Sequence, residues 1–167
     1  MVKIEGFGLG NSPREMTREA VGGKTMFLAT TNGTPALVAA QGGDPVLVAA
    51  ALNFSAVAER ARGLFAERGD LVLVCAGREK QFALEDAYTA GRLIKAVKKG
   101  ARKVTLNDAA QVSLDLAGQQ GGWQDAFDAS EAARQLAEAG LGDDVAYCAR
   151  PDRFNVVPVY VDRRITA

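Results

Sequence analysis

Thr30, Thr31, Asn32, Gly33 and Thr34 follow directly on the apolar residues Phe27, Leu28 and Ala29. Hydroxyls, an amide and a glycine at the end of such a run, with Pro35 suited to a helix's first turn, gather side-chain donors, backbone N–H groups and a helix N-terminus. That combination suits an anion such as phosphate. The same residues are also ordinary turn and N-cap types, so a purely local role stands beside the ligand role. Asn11 and Ser12 close the stretch Gly6-Phe7-Gly8-Leu9-Gly10-Asn11-Ser12-Pro13, whose alternating glycines predict a loop. They serve equally as a second polar edge of a ligand site or as a surface turn leading into a helix over residues 13–20. Glu85 and Asp86 stand together in the first turn of a predicted helix, where carboxylates complement the macrodipole. Beside a phosphate cradle they also suit Mg²⁺, an ion usually held by one or two carboxylates, waters and ligand oxygens.

The composition narrows the chemistry further. The chain has no histidine, which removes phosphohistidine intermediates, Ser-His and Cys-His pairs and imidazole metal sites. Catalysis then rests on carboxylates, hydroxyls, Lys, Arg or a hard metal ion. The two cysteines, Cys75 and Cys148, have neither zinc-site nor disulfide-framework spacing. A C-x5-R phosphatase nucleophile at Cys75 would need arginine where Gln81 stands, and Cys75 is expected to be a core thiol ending a buried strand. Twenty basic and twenty acidic residues cancel, so charge points to neither nucleic acid nor membrane. The densest basic run, Lys95, Lys98, Lys99, Arg102 and Lys103, reads as a solvated helix end. With no long apolar run and no signal pattern at Met1, a cytoplasmic protein is expected.

The elements that must position these groups alternate. Apolar runs at 25–29, 46–51 and 71–75 predict strands of a parallel sheet covered on both faces. Each is followed by a helical pattern: one starting at Thr34, one bearing Phe54, Val57, Ala58, Ala61, Leu64 and Phe65 on a single face, and one over residues 83–99. Right-handed crossovers would bring the polar strand ends, with Asn53 and Gly77, to one sheet edge, where open α/β sheets place ligands. Residues 2–4 suggest a short further strand. Helices are expected from Thr105 to Leu116, over 125–139 and in the 141–149 region, with Trp123 as packing or a ligand wall. A last strand at 156–161 is placed at the sheet edge because of Pro158. A nucleotide-binding domain is disfavoured, since neither glycine-rich phosphate fingerprint follows a strand.

Taken together, Gly6-Phe7, Gly10-Asn11-Ser12-Pro13, Thr30-Thr31-Asn32-Gly33-Thr34, Leu52-Asn53, Cys75-Ala76-Gly77, Leu84-Glu85-Asp86, Ala90-Gly91, Asp143-Asp144-Val145 and Val157-Pro158 match in order and approximate spacing the 2-phosphosulfolactate phosphatase family, which the chain resembles throughout. The resemblance implies a layered α/β fold with a mainly parallel sheet, a helical C-terminal part and a final edge strand, forming one domain over residues 1–167. It also implies a Mg²⁺-dependent acid phosphatase, a hydrolase that converts 2-phosphosulfolactate to sulfolactate and phosphate in coenzyme M biosynthesis. Asn11, Ser12, Thr30, Thr31, Asn32, Gly33, Thr34, Asn53 and Gly77 are the pocket residues this implies, and Glu85 and Asp86 the residues for metal and water positioning. The implied partner is a small phosphate ester, with a homo-oligomer compatible.

The family carries an additional N-terminal segment, with an Asp-x-x-Arg-Ala-type motif and a Gly-Glu pair, that this chain does not show; the match is to the family's C-terminal two-thirds. Arg78-Glu79-Lys80 also replaces a loop that usually holds glycine. The alternative expectation is therefore a catalytically incomplete anion-binding or assembly module whose exposed apolar sheet faces are covered by a partner or a second copy.

Overall fold

Helical periodicity positions most of the molecule, and the computed structural model describes residues 3–101 and 103–167. Helix α1 spans Arg18–Val21 and α2 spans Gly33–Ala39. Helix α3, Phe54–Arg68, turns Val57, Ala58, Ala61 and Leu64 inward and ends at Gly69, whose φ of 82° is the left-handed cap conformation. Helix α4, Leu84–Lys98, buries Ala87, Tyr88, Ala90, Leu93, Ile94 and Val97 and places Lys95 and Lys98 in its last turn. Helix α5, Asp108–Gln119, starts at Asn107, whose side chain accepts from the Ala110 amide at 2.9 Å. Helices α4 and α5 cross closely at Gly91, where a Cβ would collide with the Ser113 carbonyl.

Three short helices complete the C-terminal half: α6 (Trp123–Asp128), α7 (Glu131–Glu138) and α8 (Gly142–Cys148). The expected helix over 125–139 is thus two helices, because Ser130 accepts from the Ala133 amide at 3.0 Å and caps a new start. Trp123 is packing: its ring stands edge-on to Phe54, Tyr88 and Phe127 at centroid distances of 5.1, 5.2 and 6.1 Å. Ala51, Ala117 and Ala126 fill the space around this cluster. The Arg92 guanidinium covers the Trp123 ring at 5.0 Å and donates to the Tyr88 hydroxyl at 2.8 Å.

The sheet departs most from expectation. It has three antiparallel strands in the order β1 (Val46–Leu47), β2 (Val159–Val161), β3 (Arg164–Thr166). The expected parallel sheet is not formed. Residues 25–29 and 71–75 run without ladder pairing, and the 46–51 run pairs only at its start before turning into a short 3₁₀ helix, Ala51–Asn53. Apolar runs specify an extended, buried-type segment but not a neighbour to pair with. The last strand was expected at the edge, yet β2 is central. It begins one residue after Pro158, whose carbonyl accepts from the Val48 amide at 2.9 Å, while the Val48 carbonyl, opposite a nitrogen without a proton, accepts from the Asn53 side chain at 3.1 Å. Asp162 and Arg163, with φ of 49° and 60°, form the tight turn from β2 to β3.

Smaller corrections follow local hydrogen bonding. The expected helix over residues 13–20 is a 3₁₀ turn, Pro13–Glu15, followed by α1, with Ser12 and Thr17 capping the two pieces. The N-cap position of α2 is Asn32 instead of Thr34, and that of α5 is Asn107 instead of Thr105. Cys75 is exposed instead of buried, since its segment has an open face. Of the suggested strand at 2–4, Lys3 and Ile4 are not in a strand, and Val2 lies outside the described residues. Among the described residues no helix is long and apolar enough to cross a membrane.

Candidate functional site

The start of α2 is built by its own hydroxyls. Thr30 Oγ1 accepts from the Thr34 amide at 3.0 Å, and the Thr34 hydroxyl donates to the Thr30 carbonyl at 2.7 Å. Gly33 fits beneath Thr30 because a Cβ would sit 3.1 Å from Thr30 Oγ1. Asn32 Oδ1 accepts from the Glu79 amide at 2.9 Å, which fastens this turn to the loop before α4. Thr31 is exposed at the tip.

That loop is tightly specified. Arg78 and Gln81 exchange backbone hydrogen bonds of 3.0 and 2.8 Å around Glu79 and Lys80, both with positive φ, 51° and 64°. Gly77 has φ of 68°, and a Cβ there would lie 2.7 Å from the Gln81 carbonyl, so glycine is required. The half-buried Arg78 pairs with Glu131 at 3.0 Å and donates to Gln135 at 3.2 Å, which docks the loop on α7.

The two carboxylates of α4 serve different neighbours. Asp86 accepts from the Gly77 amide at 2.7 Å, and also from Ala76, while Glu85 lies beside Ser130 and Arg78. Burial pushes both carboxyls above their ordinary values; the Asp86 charge raises Glu85 further, and the loop amides hold Asp86 partly back. Successive helix positions do not face each other, so the pair does not converge on one ion. Among the described residues no group of three or more His, Cys, Asp or Glu side chains could hold a metal. The expected two-carboxylate Mg²⁺ seat does not fit this geometry: Asp86 is committed to backbone amides, and Glu85 alone would offer an oxygen ligand.

The second group surrounds the loop over residues 9–13. The Ser12 hydroxyl donates to Asp144 Oδ1 at 2.9 Å and accepts from the Arg14 amide at 3.3 Å, and Arg14 pairs with Asp143 at 2.8 Å. Gly10 donates to Glu15 at 2.8 Å. Asp144 is only 4% exposed although its side chain is ionisable. A cleft of about 400 Å³ opens here, lined by Phe7, Leu9, Asn11, Ser12, Ala29 and Asp144 among others, with Leu136 of α7 on its wall. Ala29, on the cleft wall, is the residue before Thr30, and α7 touches both this cleft and the Arg78 loop.

The structure therefore brings Asn11 and Ser12 to one cleft with Ala29, the residue before the 30–34 turn, and ties Asn32 to the loop whose Gly77 amide bonds Asp86. Asn53 stands apart: its side chain accepts from Ala50 at 2.8 Å and donates to the carbonyls of Val48 and Val156 at 3.1 and 3.3 Å, joining two stretches of backbone. Asp144 and Arg78 are the additions that geometry makes. Asp144 had a sequence signal in the Asp143-Asp144-Val145 match, but nothing local linked it to Ser12, 132 positions away.

Comparison with known proteins agrees with the residue pattern. The family described as 2-phosphosulpholactate phosphatase matches residues 1–163. A protein of Clostridium acetobutylicum named probable 2-phosphosulfolactate phosphatase is 33% identical over 164 residues, covering 98% of this chain and 68% of that protein. Proteins of the same name from Synechococcus sp. strain RCC307 and Thermotoga maritima are 39% and 34% identical, covering 93% and 96% of this chain and 65% and 67% of theirs. The chain thus spans about two thirds of the length of these relatives, whose name denotes a phosphoric monoester hydrolase. The chain belongs to the 2-phosphosulfolactate phosphatase family.

Proposed function

We propose that this chain binds a 2-hydroxy acid phosphate monoester, 2-phosphosulfolactate being the first candidate, in the cleft between the 9–13 loop, the 29–34 turn and α8, and releases phosphate from it. The observation that carries this reading is the part-buried Ser12–Asp144 hydrogen bond at the wall of a cleft that also contains Asn11 and Ala29, the residue before Thr30. Asn11 supplies amide donors for the phosphoryl oxygens from the cleft wall, and the exposed Thr31 offers a hydroxyl. Asp144, held against Ser12, orients the hydroxyl and offers a carboxylate to position the attacking water. Glu85 and Asp86 shape the neighbouring loop, and their conversion to amides is expected to lower turnover through the position of Asn32 and Gly77.

The supporting experiment measures inorganic phosphate released from 2-phosphosulfolactate and from related 2-hydroxy acid phosphates, with Mg²⁺ and with a chelator. Release that exceeds the spontaneous rate supports the reading; a folded sample that releases none from any of these esters overturns it. The chelator arm decides Mg²⁺ dependence, which rests on the family resemblance. A second reading, an anion-binding or assembly module without turnover, is favoured by one observation: Phe27, Val72 and Phe82 are 86%, 82% and 71% exposed.

A further inference from the structure

The donors assigned to the substrate stand on separate elements, Asn11 on the cleft wall and Thr31 in the turn before α2. Along the chain, the wall leads into that turn through Ala29. A second route joins them through side chains. Leu136 of α7 stands on the cleft wall, and on the same helix Glu131 and Gln135, one turn apart, hold the Arg78 guanidinium at 3.0 and 3.2 Å. Glu79, the next residue, donates its amide to Asn32 Oδ1 at 2.9 Å, beside Thr31. Cleft, Ala29, the 30–34 turn, the 78–81 loop and α7 therefore close a ring, in which the Arg78 side chain is the link from loop to helix.

That link holds a turn of unfavourable shape. Glu79 and Lys80, with φ of 51° and 64°, occupy the two central positions of a two-residue turn that asparagine and glycine adopt readily and longer side chains do not. Such a conformation persists where the surroundings over-determine it. Arg78 and Gln81 close the turn from within by their backbone bonds, Asp86 fixes its base at the Gly77 amide, and the Arg78 guanidinium, 20% exposed and beside Glu85, anchors it from outside. We propose that Arg78 is a positioning residue: by bridging the strained 79–80 turn to α7 it sets Thr31, through the Glu79–Asn32 bond, against Asn11 of the cleft, so that both meet the same phosphoryl group. This rests on the phosphate ester site proposed above. Arg78 itself does not touch the substrate, since its Nε and a terminal nitrogen are taken by Gln135 and Glu131. Donors on the phosphoryl oxygens hold substrate and transition state alike, so loosening the link raises KM and leaves kcat in place.

Arg78→Gln tests this by removing the ion pair, with Arg78→Lys as the milder variant should the first fail to fold. In the ligand-free protein the backbone amide shifts of residues 30–34 are expected to move, although none of them touches Arg78. KM for 2-phosphosulfolactate is expected to rise about tenfold, the loss of one well-placed donor, with kcat within about twofold of the parent. Lys80→Gly supplies a residue to which positive φ costs nothing, so that the turn no longer needs its anchor. Added to Arg78→Gln it is expected to recover most of the KM, which it could not do if the guanidinium bound the substrate directly. Amide shifts at 30–34 that stay put in Arg78→Gln, or a KM that Lys80→Gly fails to recover, overturn the proposal. The two claims fail separately: a parent chain that releases no phosphate while those amides move in the variant refutes the site and keeps the tether, whereas amides that stay put beside intact parental turnover refute the tether and keep the site.

Discussion

Ser12 and Asp144 illustrate how a pair separated by most of the chain becomes one chemical unit, since the buried carboxylate accepts the hydroxyl's hydrogen bond at 2.9 Å and leaves Ser12 oriented at the cleft. Asp144→Asn keeps an oxygen that accepts from Ser12 but removes the charge. Phosphate release is expected to fall about 100-fold with little change in melting temperature, and wild-type turnover in this variant would show that the pair is only a structural tie. Glu85 makes a different prediction. Its folded-state pKa is raised by burial, so the folded form holds the proton more tightly than the unfolded chain does, and stability is lost as pH rises through that folded value. Glu85→Gln is expected to raise the melting temperature at neutral pH, with the difference shrinking as pH falls to the ordinary glutamate range. The turn chemistry was legible in the sequence, since Thr30, Gly33 and Thr34 build the start of α2 as hydroxyl and glycine turn residues do. Which carboxylate joins them was not: adjacent Glu85 and Asp86 drew attention by spacing, whereas Asp144 gains its place only through tertiary packing.

Helices carried most of the readable information at the level of elements. The pattern on α3 and α4 puts Val57, Ala61, Leu64, Tyr88 and Ile94 inside as periodicity predicts, and only their ends differ by a residue or two. The family pair Ala90-Gly91 acquires a physical reason at the α4–α5 crossing, where Gly91 faces the Ser113 carbonyl. Gly91→Ala is expected to cost about 1–3 kcal/mol, read as a lower denaturant midpoint, because two packed helices must separate to admit the methyl. Gly77→Ala, forced into a positive φ against Gln81, should destabilise by about 1–2 kcal/mol and loosen Asp86 and Asn32 together. The apolar runs were recognised as extended, yet their pairing was unreadable, since an isolated run contains no information on which neighbour supplies its hydrogen bonds. The actual ladder uses the chain's last strands, and Pro158 misleads because the Asn53 side chain supplies the Val48 carbonyl with the donor that proline lacks.

The whole molecule has two faces with different fates. On one, the 9–13 loop, the α2 turn, the Arg78 loop and α7 interlock polar groups around a cleft, while on the other the strand-like segments at 71–75 and 104–106 leave backbone groups and valines uncovered. The proposed function places phosphate ester chemistry on the first of these, in keeping with the family to which the chain belongs. The most direct measurement is a titration of this chain with 2-phosphosulfolactate followed by backbone amide chemical shifts. The proposed site predicts saturable shifts concentrated at Asn11, Ser12, residues 30–34 and Asp144, abolished or weakened at least tenfold in Asn11→Ala, a loss of donors worth about 1–3 kcal/mol. Shifts confined to the 71–75 and 104–106 segments, or none at millimolar ligand, would contradict it.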